Sequence, residues 1–248
     1  MSIEIDHMTK RFGRKAAVDD LTLTVRDGEV YAFLGPNGAG KTTTIKVITS
    51  LLRPTAGTVR VDGHDVQKNG MAARRVISYV PDQPFLYDKL SAREFLSFVG
   101  DMYGMDPARS EQRIDELSHR FGITTYLDDL AEGYSHGMKQ RVVLAAAMLH
   151  DPRALVVDEP MVGLDPRSAR LVKDVLREMA VAGVSVFMST HTLSIAEEVA
   201  DRVGIIHRGS LVAEGTVDEL LAQGHTNARL EDIFLTITHE DTASPQPE

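Results

Sequence analysis

The run Gly35-Pro36-Asn37-Gly38-Ala39-Gly40-Lys41-Thr42 combines glycines, a lysine and a hydroxyl at the spacing G-x-x-x-x-G-K-[ST]. It follows an apolar run, Val30–Leu34, and opens into helical spacing, the context in which this pattern means a phosphate loop. Glycines let successive backbone N–H groups curl around phosphate oxygens, and a helix N-terminus adds its favourable dipole. Lys41 supplies a mobile cation for β- and γ-phosphates, the Thr42 hydroxyl is a hard oxygen suited to Mg2+, and Thr43 continues the same turn. A chance match in a chain of this length is on the order of 1%. Nucleotide binding is the expectation.

A second set of groups fits the same chemistry. Ala154–Val157 is apolar and runs into Asp158-Glu159. In open α/β sheets ligands sit beyond the carboxyl ends of strands, where both acids would emerge. Asp158 fits a Mg2+ partner and Glu159 a base that orients an attacking water. An acidic pair after a strand is otherwise a helix cap or a solvated turn, but a phosphate loop in the same chain reverses those odds. His191 follows the run Val184–Ser189, where an imidazole could reach a γ-phosphate. Ser135 is a good N-cap for a helix beginning near Gly137, a further anion-facing helix start.

The elements that must position these groups alternate. Ile3 with Ile5, Leu21–Val25 and Val30–Leu34 read as strands, with a turn at Asp27-Gly28. Thr42–Leu52 has helical spacing, stopped by Arg53-Pro54, and Thr58–Val61 and Val66 flank Asp62-Gly63 as a hairpin. A capping box at Ser91–Glu94 opens a helix ending near Gly104, and Ile114, Leu117 and Phe121 mark another, closed by Gly122. Residues from about 84 to 150 thus form a helical lobe inserted into a mixed αβ chain. After it come a helix over Arg167–Ala182, a strand over Val184–Ser189 and a helix over Leu193–Ala200. Val203–Ile206 pairs with Leu211–Ala213 across Arg208-Gly209, a second capping box at Thr216–Glu219 opens a helix ended by Gly224, and Asp241–Glu248 is a polar tail.

Composition bounds what this machinery can serve. The 248 residues carry 27 Lys+Arg against 36 Asp+Glu, a net charge of −9, and lack cysteine and tryptophan. That excludes a disulfide framework and thiolate chemistry, and an acidic balance argues against general nucleic-acid binding. The longest apolar run, Val142–Leu149, is far short of the ~20 residues that cross a bilayer. The N-terminal residues have no apolar stretch of signal-peptide type, so the expected compartment is the cytoplasm.

Tyr134-Ser135-His136-Gly137-Met138-Lys139-Gln140-Arg141, ahead of the acidic pair, resembles the L-S-G-G-Q signature and following K-Q-R of ABC transporter nucleotide-binding subunits. The pattern Y-S-x-G-M is most similar to the bacterial ABC-2-type exporter ATPases. The resemblance covers about residues 2–220. It implies an α/β P-loop NTPase core, an antiparallel β subdomain and an inserted α-helical subdomain, with residues 1–235 as the ATPase domain and 236–248 as tail. It also implies ATP and Mg2+ as cofactors, adenine stacked on Phe12 with Val18 lining that pocket, His191 as a switch histidine, and Asp165 crossing a dimer interface. Two subunits would close head to tail over two ATP molecules, each held between one phosphate loop and the other subunit's Ser135, His136, Gly137 and Met138. His136 and Met138 depart from the family's Gly and Gln. Where the family has a Mg2+-coordinating glutamine, ungapped alignment gives Asp82, with Gln83 one residue on. The implied activity is ATP hydrolysis driving transport, and more specifically export, through separate integral membrane permease subunits. One of these would dock near Asp82–Leu90 and hold the chain on the inner face of the membrane. No nucleic acid partner is expected. The alternatives are a non-transport ABC ATPase acting on nucleic acid or ribosomes, disfavoured by the single phosphate loop and missing heptad run, and a small-molecule kinase, disfavoured by the Ser135–Arg141 motif.

Overall fold

The computed structural model describes residues 2–222 and 234; the expected helix end at Gly224 and the polar tail lie outside them. Two sheets organise the chain. The first is antiparallel, ordered β2-β1-β4-β5, from β1 (Ile3–Phe12), β2 (Lys15–Val25), β4 (Ala56–Val61) and β5 (His64–Asp65). The β4–β5 turn places Asp62 at φ 48° and Gly63 at φ 76°, two consecutive left-handed residues that match the twist of the strands they join. Arg208 and Gly209 repeat this device, at φ 48° and 89°, between β9 (Arg202–His207) and β10 (Ser210–Gly215).

The second sheet has the order β10-β9-β3-β8-β7-β6, with β3 (Val30–Leu34), β6 (Ile77–Val80), β7 (Ala154–Asp158) and β8 (Ser185–Thr190). Strands β9, β3, β8, β7 and β6 run parallel, and β10 is antiparallel to β9. Every residue of β3, β7 and β8 is buried, as expected of a sheet covered on both faces. The period of two divides β3 between two cores. Val30, Ala32 and Leu34 face the helices, whereas Tyr31 and Phe33 face the antiparallel sheet and α1 (Lys41–Ile48), where they pack on Phe187. Burying each such aromatic contributes about 2–3 kcal/mol.

Between β6 and β7 the described chain is helical: α3 (Ala92–Met102), α4 (Pro107–Phe121) and α5 (His136–Met148), with two short 3-10 turns. The Ser91–Glu94 capping box is present in both directions, and Gly122 takes the left-handed C-cap of α4 at φ 62°. The remaining helices are α2 (Gly70–Val76), α6 (Pro166–Val181), α7 (Leu193–Val199) and α8 (Val217–Ala222), the last opened by the Thr216–Glu219 capping box.

Three local expectations are corrected. The first helix ends at Ile48 and not at Leu52, because Ser50 turns into the left-handed region at φ 59° and its hydroxyl caps the Val66 carbonyl. The N-terminal strands are longer than their apolar alternation, since their outer halves are polar and the hairpin is held by backbone pairing. Helix α2 and strand β6 were not anticipated. Only Ala73 of α2 is buried, so it shows no periodic apolar face, and β6 follows it without a breaker.

Candidate functional site

Four adjacent parallel strands end at one level and deliver the chemistry there. Leu34 of β3 pairs with Thr190 of β8, Asp158 of β7 pairs with Ser189 of β8, and Val80 of β6 pairs with Val157 of β7. The next residues are therefore neighbours: the phosphate loop after β3, His191 after β8, Glu159 after β7 and Asp82 after β6. The loop, Asp82 and Glu159 line a cavity of about 470 Å3 together with Lys15, Thr42, Asp158 and Arg208, and His191 lines the depression that adjoins it.

Two loop glycines have specific steric reasons. Gly40 sits at φ 117°, and a Cβ there would come 2.6 Å from the Ala17 carbonyl; a Cβ on Gly35 would come 2.5 Å from the Ile206 carbonyl. Neither leaves room for a side chain. The loop thus lies flat on the β1–β2 hairpin and β9, with helix α1 beginning at Lys41. Lys41 is almost buried; its Nζ donates to the carbonyls of Gly35 (2.6 Å) and Pro36 (3.3 Å) and lies 3.5 Å from Glu159 Oε1.

Glu159 is the focus of the charges. Its backbone takes φ 46°, a left-handed conformation that costs a non-glycine residue on the order of 1–3 kcal/mol and recurs at functional sites. Its N–H faces both the Ser189 carbonyl and hydroxyl at 3.2 Å, which holds the turn. Oε1 lies 2.9 Å from His191 Nδ1, and Oε2 accepts from the His191 backbone N–H at 3.3 Å. Asp158, buried beside it, accepts from the Ser189 hydroxyl. Burial pushes the Asp158 carboxyl above the usual range; hydrogen bonds from Ser189 and Thr42 oppose this, and the charges of Asp82 and Glu159 add to it.

These donors are all oxygens, the type a hard cation prefers. Among the described residues no three His, Cys, Asp or Glu side chains form a ready-made cage. That suits Mg2+, which is commonly held by one or two carboxylates together with substrate phosphates. Thr42 and Asp158 are hydrogen-bonded to each other, and Asp82 lies on the same wall, so the three fit such a shell. Gln83 lines an adjoining depression with Asn37, His136 and His191, and not the phosphate cavity itself.

The signature segment stands apart from that cavity. Ser135 caps α5, accepting from the Met138 N–H at 3.3 Å, and the Ser135 and His136 side chains are exposed. Tyr134 pins the helix start to the helical lobe: its hydroxyl accepts from the Ala92 N–H and lies 2.6 Å from the Tyr126 carbonyl. Buried Gln140 donates to the Pro160 carbonyl at 3.5 Å, joining α5 to the Glu159 turn. Asp165 caps α6 through the N–H groups of Arg167 and Ser168 and the Ser168 hydroxyl, which holds its carboxyl below the usual range. A Cβ on Gly137 would stand 3.7 Å from that carboxylate, so the two helix starts adjoin.

The expected adenine pocket looks different in this chain. Val18 is wholly buried behind Gly40, and the cavity wall there is Lys15, Ala16 and Ala17; Phe12 is half-exposed, with Lys10 Nζ 5.1 Å from its ring centroid. Sequence reading also missed Ser189, Lys15 and Arg208. Ser189 reads as the end of a buried strand, and Arg208 reads only as a turn residue.

The family model described as "ABC transporter" matches residues 18–162. The daunorubicin resistance ATP-binding protein DrrA3 of Streptomyces coeruleorubidus is 40% identical over 222 residues, 90% of this chain and 70% of that protein. The ABC transporter ATP-binding protein NatA of Bacillus subtilis is 34% identical over 93% of this chain and 94% of its own. A solved structure of the ATP-binding subunit of an ABC transporter superposes with a TM-score of 0.89 at 32% identity, covering 96% of this chain and 99% of that one. With the phosphate loop, the acidic pair and the Ser135 helix start arranged on this fold, the chain belongs to the ABC transporter family as an ATP-binding, ATP-hydrolysing member.

Proposed function

We propose that this chain is the engine of an exporter, hydrolysing ATP between two copies of itself, or itself and a similar subunit, to drive separate membrane subunits. The observation that carries this reading is the common level of the strand ends, which faces the phosphate loop with Asp158 and Glu159 and sets His191 against Glu159. Backbone N–H groups from Gly35 to Thr43 hold the phosphates, with Lys41 on the β- and γ-oxygens. Thr42, Asp158 and Asp82 hold Mg2+, which offsets the charge of the phosphates when bound. Glu159 accepts the proton of the attacking water as its oxygen bonds to the γ-phosphorus; the bond to the β-phosphate oxygen breaks, and ADP leaves. His191, against Glu159 Oε1, orients that carboxylate toward the γ-phosphate. Phe12 stacks on adenine at the rim, and Val18 supports Gly40 from behind. Ser135, His136, Gly137 and Met138 act on the ATP of the opposite subunit, with Asp165 at the interface.

Residues 1–235 make up the ATPase domain, with 84–150 as its helical subdomain. Among the described residues no helix is long and apolar enough to cross a membrane; in this reading separate membrane subunits supply the transport path. Their docking surface is the exposed aromatic chain of Phe85, Tyr87 and Phe98, whose rings meet edge to face at 5.4 and 6.3 Å. Such contiguous exposed apolar surface marks an interaction site. That contact holds the chain on the inner face of the membrane. Export rests on the Y-S-x-G-M pattern and on the resistance function named for DrrA3. The reading of Glu159 is tested by Glu159→Gln, which keeps shape and removes the basic carboxylate. Phosphate release should fall by roughly 10²–10⁴-fold with ATP still bound, the scale of general-base catalysis. Near-normal turnover would assign the base elsewhere.

A further inference from the structure

We infer that the basic, partly apolar face formed by the end of α1, the β5–α2 turn and α2 binds anionic phospholipid headgroups beside the permease dock. Its placement at the membrane rests on the docking surface proposed above; its chemistry does not. From Lys46 to Arg75 the sequence holds six Lys and Arg against two Asp, in a chain whose net charge is −9. Helix α2 exposes Met71, Arg74 and Arg75, which fall on one side at i, i+3 and i+4, opposite the buried Ala73. The end of α1 lies against it. The Ser50 hydroxyl donates to the Val66 carbonyl, and a Cβ on Gly70 would stand 2.9 Å from that hydroxyl. The Leu51 N–H returns to the Lys46 carbonyl at 2.8 Å. The exposed Leu51 and Met71 therefore flank the Ser50–Gly70 contact, with the exposed Arg53, Lys68, Arg74 and Arg75 on the same segments.

Neighbouring acids do not cancel these charges. Arginines elsewhere in this acid-rich chain are paired: Arg93, Arg113, Arg120 and Arg202 each meet a carboxylate. Among the described residues Arg53, Arg74 and Arg75 meet none, and Arg74 Nε donates only to the Gly70 carbonyl at 3.2 Å. Asp65 lies 4.0 Å from Lys68 Nζ and accepts from the N–H groups of Gln67 and Lys68. Asp151, reached past Val76, is held by Arg109 and Arg113. Counting Asp62, Asp65 and the exposed Asp101 of α3 as full charges still leaves the face positive. Guanidinium groups suit phosphate oxygens, and apolar side chains standing between them enter a headgroup layer without needing a groove. The face also adjoins the aromatic dock. Exposed Phe98 and Met102 share one side of α3, and the Tyr103 hydroxyl ties the end of that helix to the Ile77 carbonyl, next after α2.

The test is co-sedimentation of the full chain, without permease, with phosphatidylcholine vesicles that do or do not carry about one third phosphatidylglycerol. The wild-type protein should bind the anionic vesicles and not the neutral ones, and affinity should fall at least about tenfold between about 0.1 and 0.5 M salt. Arg74→Ala with Arg75→Ala should weaken binding by about 25-fold, near fivefold for each cation. Leu51→Ser with Met71→Ser should weaken it while keeping the salt dependence. Arg26→Ala with Arg170→Ala removes two exposed cations outside the face and should leave binding unchanged. Thermal melts matching the wild type show that each variant is folded. Absence of binding to either vesicle, equal binding to both, or equal losses in the two double-arginine variants would overturn the lipid contact. The permease dock would still stand, since the vesicles hold no permease.

Discussion

Lys41 and Glu159 restrain each other at 3.5 Å, with His191 on the far side of the same carboxylate oxygen. In the proposed mechanism, a nucleotide entering the loop draws Lys41 from the Gly35 carbonyl and from Glu159 and so releases the carboxylate for the attacking water. Lys41→Ala removes the side-chain cation that the phosphate loop itself provides. Hydrolysis should drop by at least about 10²-fold, as for loss of one preorganised transition-state donor, and ATP binding should weaken. Phosphate release and equilibrium nucleotide binding measure the two effects; turnover near the wild-type rate would remove Lys41 from the site. At this scale the sequence was informative where chemistry is local. The phosphate loop needs particular residues at particular spacing, so its position was readable without a fold. Ser189 was not readable, because its role depends on β7 lying beside β8, which no neighbouring residue announces. The full burial of Val18 was not readable for the converse reason, since it depends on the tertiary approach of Gly40.

Among the elements, the junction of α5 with β7 joins the helical segment to the sheet. There His150 stacks on Tyr103, with ring centroids 3.5 Å apart, and the Tyr103 hydroxyl donates to the Ile77 carbonyl of β6. Burial pushes the His150 imidazole down to about 4, against weaker opposing contributions from the Ile77 backbone and Asp151. The unfolded chain, with an ordinary imidazole near 6.5, takes up the proton first. Full stability is therefore present above pH 6.5 and is lost as the pH falls from 6.5 to about 4, below which both states are protonated. His150→Phe keeps a stacking ring and cannot titrate. Thermal melts of the two proteins should diverge over that window, the wild type losing up to about 3 kcal/mol more than the variant. Parallel curves would mean that His150 is not buried neutral. Elements with strong punctuation were legible: the capping boxes at Ser91 and Thr216 and the Asp62-Gly63 and Arg208-Gly209 turns use local backbone chemistry. Helix α2 was not, since a single buried residue, Ala73, carries no period.

The phosphate loop and the start of α5 open onto two adjoining hollows, which share Asn37, Asp82 and Glu159. The phosphate loop lines its own cavity, while Ser135 and His136 sit exposed at the start of α5, fixed by Tyr134 and Gln140. On the proposed function, this exposed helix start completes the site of a second copy. The strand order that creates this layout was not legible, because β3 pairs with strands more than 150 residues away, and long-range pairing leaves no local pattern. The central claim, one ATP shared by two chains, is tested most directly by size-exclusion chromatography with light scattering on Glu159→Gln. Removing a negative charge beside the γ-phosphate favours the closed state, and unhydrolysed ATP bound only by the dimer shifts the equilibrium toward it. The variant should run as a monomer without nucleotide and as a dimer with ATP and Mg2+, and adding Ser135→Arg should abolish the dimer while ATP binding to the monomer persists. A Glu159→Gln protein that binds ATP yet stays monomeric at high concentration, or a dimer indifferent to Ser135→Arg, would contradict the shared site.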